Sequence, residues 1–132
     1  MTTQPPATFF DIPNVFDINC PTRLVLDRIA DKWALLILRR LTDGPLRFNK
    51  LHRDLQGISH KVLSQTLKKL ERDGMITREV FATVPATVEY SVTPLGETLS
   101  GTIKTLTHWA EENIAAIMAA QKRYDARKNE SG

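Results

Sequence analysis

The sequence has little of what exported, membrane-bound or disulfide-stabilised proteins need. Its 132 residues include one cysteine, so no internal disulfide can form, and this is typical of a reducing cytosol. The longest apolar run, Trp33 to Leu38, is far shorter than the roughly 20 residues of a membrane-spanning helix. The N-terminus lacks the basic stretch and following apolar stretch of a secretory signal. We therefore expect a cytoplasmic protein with no membrane partner.

Signatures of cofactors and of catalysis are also missing. Cys20 and the three histidines, His52, His60 and His108, lack the spacing of metal ligands, and the six glycines are dispersed rather than gathered in a phosphate-binding loop. A small enzyme would need a base beside Cys20, and no histidine lies near it in the sequence. We expect no metal, no cofactor and no catalytic residues.

The charge is unevenly distributed. The net charge is only +3, yet residues 39–78 contain ten lysines and arginines against four acids, and the remaining residues are net acidic. A basic middle between acidic flanks is typical of a surface that binds a polyanion such as nucleic acid. The alternative is a solvated face on which charges cluster by chance.

Hydrophobic periodicity and cap residues predict one small domain. Five helices are expected, with Pro21 and Asp31 at the starts of the first two and Ser59 as the N-cap of the fourth. The predicted helices are 21–30, 32–41 (with Trp33, Leu36, Ile37 and Leu41 on its buried face), 49–55, 60–72 and 94–124. Period-two patterns predict strands at 75–80 and 88–92, and 46–48 is a short link or an edge strand.

This order predicts a mainly α fold with a small β-hairpin wing. It is a winged helix-turn-helix with a long C-terminal dimerisation helix. The chain then divides into an N-terminal tail and apolar arm (1–19), a DNA-binding domain (20–93), the dimerisation helix (94–124) and a polar tail (125–132).

The predicted helix that follows Ser59 has two opposite faces. Leu63, Leu67 and Leu70 share one side and are expected to face the core. The opposite side is cationic and polar, with Ser64 at its edge, and consists of Lys61, Gln65, Lys68 and Arg72. These are side chains that contact phosphates and base edges in a DNA major groove. The alternative is an ordinary amphipathic helix with a solvated outer face.

Further DNA contacts are expected around this helix. The open N–H groups at its start can hold a phosphate, the preceding short helix crosses the DNA backbone, and the wing adds a few contacts. The predicted DNA-binding residues in these places are Arg47, Asn49, Lys50, Arg53, Ser59, His60, Arg78, Thr83 and Thr87.

A second copy of the chain is the expected partner of the last helix. An apolar stripe over about six turns projects past a small domain, so part of it needs a partner, and the apolar arm is expected to complete the contact. The predicted dimer-interface residues are Phe9, Phe10, Val15, Phe16, Leu99, Ile103, Leu106, Ala110, Ile114 and Ile117.

Several motifs together resemble those of the HxlR-type bacterial transcription regulators, within the wider MarR-like winged-helix group. The motifs are Cys20-Pro21, Asp31-Lys32-Trp33, Gly44-Pro45-Leu46-Arg47-Phe48, the stretch 57–63, the stretch 67–74 and the stretch 88–93. The resemblance implies a homodimer that binds a palindromic operator. The chain departs from the pattern at Pro85-Ala86-Thr87, where the family often has a second proline and a basic residue.

Cys20 lies at the predicted N-cap of the first helix, where the helix dipole favours a thiolate and Arg23 adds to the effect. Several members of the family sense reactive species at this Cys-Pro position. The resemblance therefore implies a redox sensor that responds to a small oxidant or electrophile. The alternative is a buried, inert side chain.

The sequence thus predicts a sequence-specific transcriptional regulator, a repressor, with double-stranded DNA and itself as partners. Two alternatives stay open. One is a winged helix that binds another protein. The other is a regulator with a non-sensing Cys20 and a small-molecule pocket walled by Trp33, Phe48, Tyr90 and Trp109, although such aromatics more often form core.

Overall fold

The computed structural model describes residues 14–131 of the chain, apart from the side chain of Ser131. Phe9 and Phe10, two predicted interface residues, lie outside the described residues. The elements in chain order are α1 (Pro21–Ile29), α2 (Lys32–Leu41), β1 (Leu46–Arg47), α3 (Phe48–Asp54), α4 (His60–Arg72), β2 (Ile76–Phe81), β3 (Thr87–Val92) and α5 (Pro94–Ser131). No helix within 14–131 is long and apolar enough to cross a membrane.

Three helices, α1, α2 and α4, begin where Pro21, Asp31 and Ser59 predict. Pro21 occupies the first turn of α1, and the Asp31 carboxylate accepts a hydrogen bond from the Trp33 amide at 2.8 Å. The Ser59 hydroxyl accepts one from the Val62 amide at 3.1 Å. Each cap satisfies an amide that has no partner inside its helix, and this fixes the start of the element.

The wing is part of a three-stranded antiparallel sheet in the order β1-β3-β2. β2 and β3 form the predicted hairpin, in which Thr77 lies opposite Ser91. The sequence predicts this hairpin and leaves 46–48 as either a short link or an edge strand. In the structure β1 is an edge strand, with Leu46 opposite Tyr90. The third strand ties the start of α3 to the wing.

The core lies between α2, α4 and the sheet. The leucines predicted on the inner face of α4 are all buried, together with Thr66, whose hydroxyl donates to the Val62 carbonyl. Leu36 was predicted in the core and is instead 44% exposed. The buried residues that form the core cluster are Ala34, Ile37, Leu38, Leu41, Leu51, Leu55, Ile58, Leu63, Leu67, Leu70, Ile76 and Ile103.

Among residues 14–131, the contacts of the last helix with the core lie near its start. The Thr93 hydroxyl accepts a hydrogen bond from the Gly96 amide and so caps the helix, and Ile103 packs into the core. Residues 104–130 are exposed apart from Asn113. The helix also continues to Ser131, past the end predicted at Tyr124, because the polar residues after Tyr124 include several good helix formers.

Candidate nucleic-acid interface

The outer face of α4 is the most cationic surface of the helix-turn-helix segment. Lys61, Gln65, Lys68 and Arg72 are all exposed, and Ser64 is half-buried at the edge of the face. Leu63, Leu67 and Leu70 on the opposite side are at most 1% exposed. The leucines hold the helix to the core, so the cationic side chains are presented to solvent by a rigid element.

The N-terminal end of α4 is open. The first hydrogen bond within the helix runs from the Leu63 amide to the Ser59 carbonyl, and the Ser59 hydroxyl serves the Val62 amide. The amides of His60 and Lys61 precede these bonds at the positive end of the helix dipole. Such amides can bind a phosphate oxygen.

The C-terminal end of α4 is tied to α1. Asp73 is the C-cap of α4, and both of its carboxylate oxygens accept hydrogen bonds from Nη1 of Arg28, at 2.9 and 3.2 Å. Arg28 lies in the last turn of α1. The orientation of α4 is therefore coupled to the helix that begins at Cys20.

The residues predicted to contact the DNA backbone before α4 lie on β1 and α3. Arg47, Asn49, Lys50 and Arg53 are all exposed. Lys50 is not free of partners, because its Nζ lies 2.9 Å from Oδ1 of Asp54.

Asp54 is the centre of a small ionic network. Its Oδ2 accepts a hydrogen bond from Nε of Arg40 at 2.8 Å, in addition to the bond from Lys50. The hydrogen bond from Lys50 lowers the pKa of the Asp54 carboxyl, and the bond from Arg40 adds to the effect. The network joins α2 to α3 directly beneath the predicted DNA-facing side.

A cleft of about 320 Å³ separates α4 from the wing. Lys68 and Ser64 border it on α4, and Arg78 borders it on β2, with Tyr90 and Glu71 also in its wall. The structure thus brings Arg78 close to the cationic face, although the sequence placed it at the base of the wing. Two cations across a cleft suit the path of a phosphate backbone.

The tip of the wing presents no cation. The Thr83 hydroxyl donates to the Pro85 carbonyl and lies 3.3 Å from the Thr87 hydroxyl, so both predicted wing contacts also stabilise the turn. Val84 is fully exposed beside them. Sequence analysis did not single out Val84, since an isolated apolar residue in a turn carries no pattern.

Three aromatic rings meet where α3 faces the start of α4. The His60 ring stacks on His52 with 3.8 Å between centroids, and on Phe48 with 5.7 Å. The sequence prediction included His60 but missed this contact, because the partner rings lie on another helix.

Cys20 is the N-cap of α1, and its side chain is fully covered within the chain. A hydrogen bond from the backbone amide of Arg23 lowers the pKa of the thiol, while burial opposes the shift. The Arg23 guanidinium does not supply this effect, since its Nη1 donates to the Phe16 carbonyl at 3.0 Å. The lowered pKa of the thiol fits the hypothesis of a redox sensor, and its complete burial fits the alternative of an inert side chain.

Comparison with known proteins identifies the family. A family model for HxlR-like helix-turn-helix proteins matches residues 28–118. The chain is 42% identical to the uncharacterized HTH-type transcriptional regulator YtfH of Escherichia coli (strain K12) over 108 residues, which cover 82% of this chain and 86% of YtfH. The chain belongs to the HxlR-like helix-turn-helix family.

Solved structures agree with this membership. The structure of YtfH from Salmonella typhimurium matches with a TM-score of 0.77 at 42% identity, covering 83% of this chain and 97% of that one. The redox regulator HypR in its reduced form matches with a TM-score of 0.70 at 35% identity, and the match covers 75% of this chain and 98% of HypR. As an HxlR-like protein the chain is a helix-turn-helix transcriptional regulator, and DNA is its partner.

The predicted interface residues of this HxlR-like chain fall into two groups. Val15, Phe16, Leu106, Ala110, Ile114 and Ile117 are exposed. Leu99 is half-buried and Ile103 is buried, and both pack in the chain's own core, so the interface role for these two residues stays a prediction. The stripe along α5 is continuous in sequence, but its first turns face inward.

The four aromatics that could have walled an effector pocket do not converge. Trp33, Phe48 and Tyr90 pack against the hydrophobic core, whereas Trp109 is 56% exposed on α5. Within residues 14–131, no group of three or more histidine, cysteine, aspartate or glutamate residues is placed to hold a metal ion.

Proposed function

We propose that this regulator is a homodimeric, sequence-specific repressor that binds a palindromic operator through α4 and acts in the cytoplasm. The observation that carries the proposal is the division of α4 into a fully buried leucine face and an exposed face of three cations and a glutamine. An element held this way can enter a major groove without losing its own packing. α4 is called the recognition helix below.

The test is binding to duplex DNA at several salt concentrations. Lys61→Ala/Lys68→Ala should weaken binding and lower the slope of log Kd against log salt by about 3.6, since the two copies together lose four phosphate contacts of about 0.9 each. Lys104→Ala/Lys122→Ala removes the same charge from exposed positions on α5 and serves as the control. Equal slopes for the wild type and the Lys61/Lys68 variant contradict the proposal.

Sequence preference separates a regulator from a general polyanion binder. We expect the wild type to enrich a two-fold symmetric sequence from a library of randomised duplexes, with half-sites about one helical turn apart. Salt-dependent binding without any enriched sequence would instead favour the surface of a protein-interaction module.

Repression predicts the direction of the response in a transcription assay. With the enriched duplex placed over a promoter, added protein should reduce transcript yield, and the Lys61→Ala/Lys68→Ala variant should not. An increase in transcript yield contradicts the assignment as a repressor.

Pairing of two chains is supported by α5. Leu106, Ile114 and Ile117 share one face of the helix, and each is at least 38% exposed. An apolar face of this length is unusual on a monomer and is typical of a helix that packs against a second copy.

Regulation through Cys20 is the last part of the proposal. It is supported by the lowered pKa of the thiol, by its place at the start of α1, and by the similarity to HypR, which is a redox regulator. Because α1 is tied to the recognition helix through Arg28 and Asp73, a shift of α1 on oxidation can change operator affinity.

Operator binding before and after a mild oxidant tests this part. We expect the oxidant to weaken binding by the wild type and to leave Cys20→Ser unaffected. The thiol is covered, so its alkylation should be slow and should accelerate when α1 is loosened by Arg28→Ala. Equal responses of wild type and Cys20→Ser remove Cys20 from the mechanism.

A further inference from the structure

The ring stack at the start of the recognition helix joins two elements of the helix-turn-helix. His60 is the first residue of α4 and is exposed, whereas His52 on α3 is half-buried. Their rings are nearly parallel, with an interplanar angle of 14° and 3.8 Å between centroids. The Phe48 ring, one turn before His52 on α3, lies at 18° to the His60 ring.

The α3 side of the stack is rigidly held. Leu51, next to His52, is fully buried in the core, and Leu55 is 7% exposed. A histidine side chain has only two rotatable bonds, so contact with two fixed rings restricts His60 to few orientations. The exposed side chain at the front of the recognition helix is therefore ordered before any ligand arrives.

We propose that His52 is a positioning residue for sequence recognition, which holds the His60 imidazole in the orientation that meets a base edge. This inference rests on the proposed function and deepens it. Residues in the first turn of a recognition helix are those that reach base edges. Stacking covers the face of the imidazole and leaves its two nitrogens, which lie in the ring plane, at the edge.

Orientation matters most for the cognate sequence. A hydrogen bond weakens steeply when its angle departs from linear, so a freely rotating imidazole loses a directed contact. Binding to unrelated duplexes depends on charge contacts to phosphates, which tolerate such rotation. Loss of the stack should therefore reduce discrimination between sequences more than it reduces affinity for DNA in general.

The test compares affinity for the duplex that the wild type enriches from a randomised library with affinity for an unenriched duplex of equal length. His52→Ala should lower the ratio of the two affinities by about 25-fold, because each of the two half-sites loses one oriented hydrogen bond worth about fivefold. His52→Phe keeps a flat ring and should retain the ratio within about twofold. His108→Ala, on α5, removes a histidine that is remote in sequence and should change nothing.

A double variant locates the effect at His60. His60→Ala should lower the ratio at least as much as His52→Ala, and His52→Ala/His60→Ala should lower it no further, because His52 acts through His60. Thermal melting checks that each variant is folded. If His52→Ala is not, His52→Leu, which fills space without a flat ring, takes its place and should show the same loss.

The outcomes are distinct. An unchanged ratio in His52→Ala or its leucine substitute, equal losses on both duplexes, or fully additive losses in the double variant overturn the inference and leave the proposed function standing. A wild-type protein that enriches no sequence overturns the proposed function, and the inference with it.

Discussion

Individual side chains at the ends of helices decide where α4 begins and how it is placed. Ser59 has two roles that can be separated. Its hydroxyl caps the helix, and its position marks the open amides where a phosphate can bind. A substitution that keeps the cap but changes the charge distinguishes these roles.

We expect Ser59→Ala to lower the free energy of unfolding by about 1 kcal/mol, because the Val62 amide loses its acceptor. Ser59→Asp restores a cap acceptor and should recover the stability. It should nevertheless weaken DNA binding, since its carboxylate repels the phosphate at the same place. Chemical denaturation and DNA titration measure the two effects, and tight DNA binding by Ser59→Asp would show that no phosphate approaches this end.

The ionic network around Asp54 gives a pH dependence with a definite sign. The pKa of the Asp54 carboxyl is lowered in the folded chain, so its contribution to stability is present above the ordinary pKa of about 4 and is lost as the pH falls through the folded value. Asp54→Asn should therefore have a lower urea midpoint than the wild type at pH 7. The difference should shrink towards pH 3.

Asp27→Asn, at an exposed position on α1, is the control for this series and should follow the wild type at both pH values. A difference between wild type and Asp54→Asn that stays constant from pH 7 to pH 3 would show that the network does not depend on the charge of Asp54.

At the scale of the elements, close packing at the start of α5 depends on a glycine. A Cβ at position 96 would overlap the backbone carbonyl of Met75, whereas a Cβ at Gly101, farther along the same helix, would have no neighbour within 4 Å. Substitution by alanine should therefore change the stability of the protein in opposite directions at these two glycines.

Gly96→Ala should destabilise the protein by about 1–3 kcal/mol, because the helix must move away from the strand that follows Met75. Gly101→Ala should stabilise the protein by about 0.5–1 kcal/mol, since alanine restricts the unfolded chain and its Cβ meets no neighbouring atom in the folded chain. Thermal melting of the two variants checks both signs. Destabilisation of equal size by both would indicate a general loss of helix flexibility instead.

Local signals in the sequence were sufficient for most elements. Pro21, Asp31 and Ser59 mark helix starts, and the leucine spacing in α4 identifies its buried face. Contacts between distant residues were not predictable. β1 is too short to show a strand pattern and is defined by its pairing with β3. Leu36 matches the helical period, yet it is 44% exposed among the described residues.

The candidate site was likewise predictable where it depends on local sequence and was not predictable where it depends on contacts between distant residues. The cationic face of α4 follows from helical geometry alone, whereas the stack of His52 on His60 and the approach of Arg78 to Lys68 depend on how α3 and the wing pack beside α4. The burial of Cys20 was equally hidden, because covering a side chain depends on the tertiary fold around it.

For the whole molecule, the main question is assembly. The outward face of α5 offers Ile114 and Ile117 with no partner in the core cluster of the described residues. Glutamates at these positions should leave the fold of the chain intact and separate the two copies, because they place charge in an apolar interface.

We expect light scattering to give the molecular mass of a single 14.9 kDa chain for Ile114→Glu/Ile117→Glu and the mass of two chains for the wild type. The helix content of the Ile114→Glu/Ile117→Glu variant should be lower only in the outer part of α5. Ala115→Glu/Ala119→Glu adds the same charges on the opposite side of the helix and should leave the mass unchanged. A dimer that survives the isoleucine substitutions would place the interface elsewhere.

The exposure of nearly all of residues 104–130 has a thermodynamic consequence. A helix without tertiary support is marginal in water, so in the proposed homodimer this outer part of α5 should hold its shape only while the second chain lies against it. Its ordering is then a bimolecular event, and the melting temperature should rise with protein concentration. If the proposed homodimer binds its operator, dilution alone should unwind the outer part of α5 and release each chain from its half-site, and the number of copies in the cell would then itself control transcription.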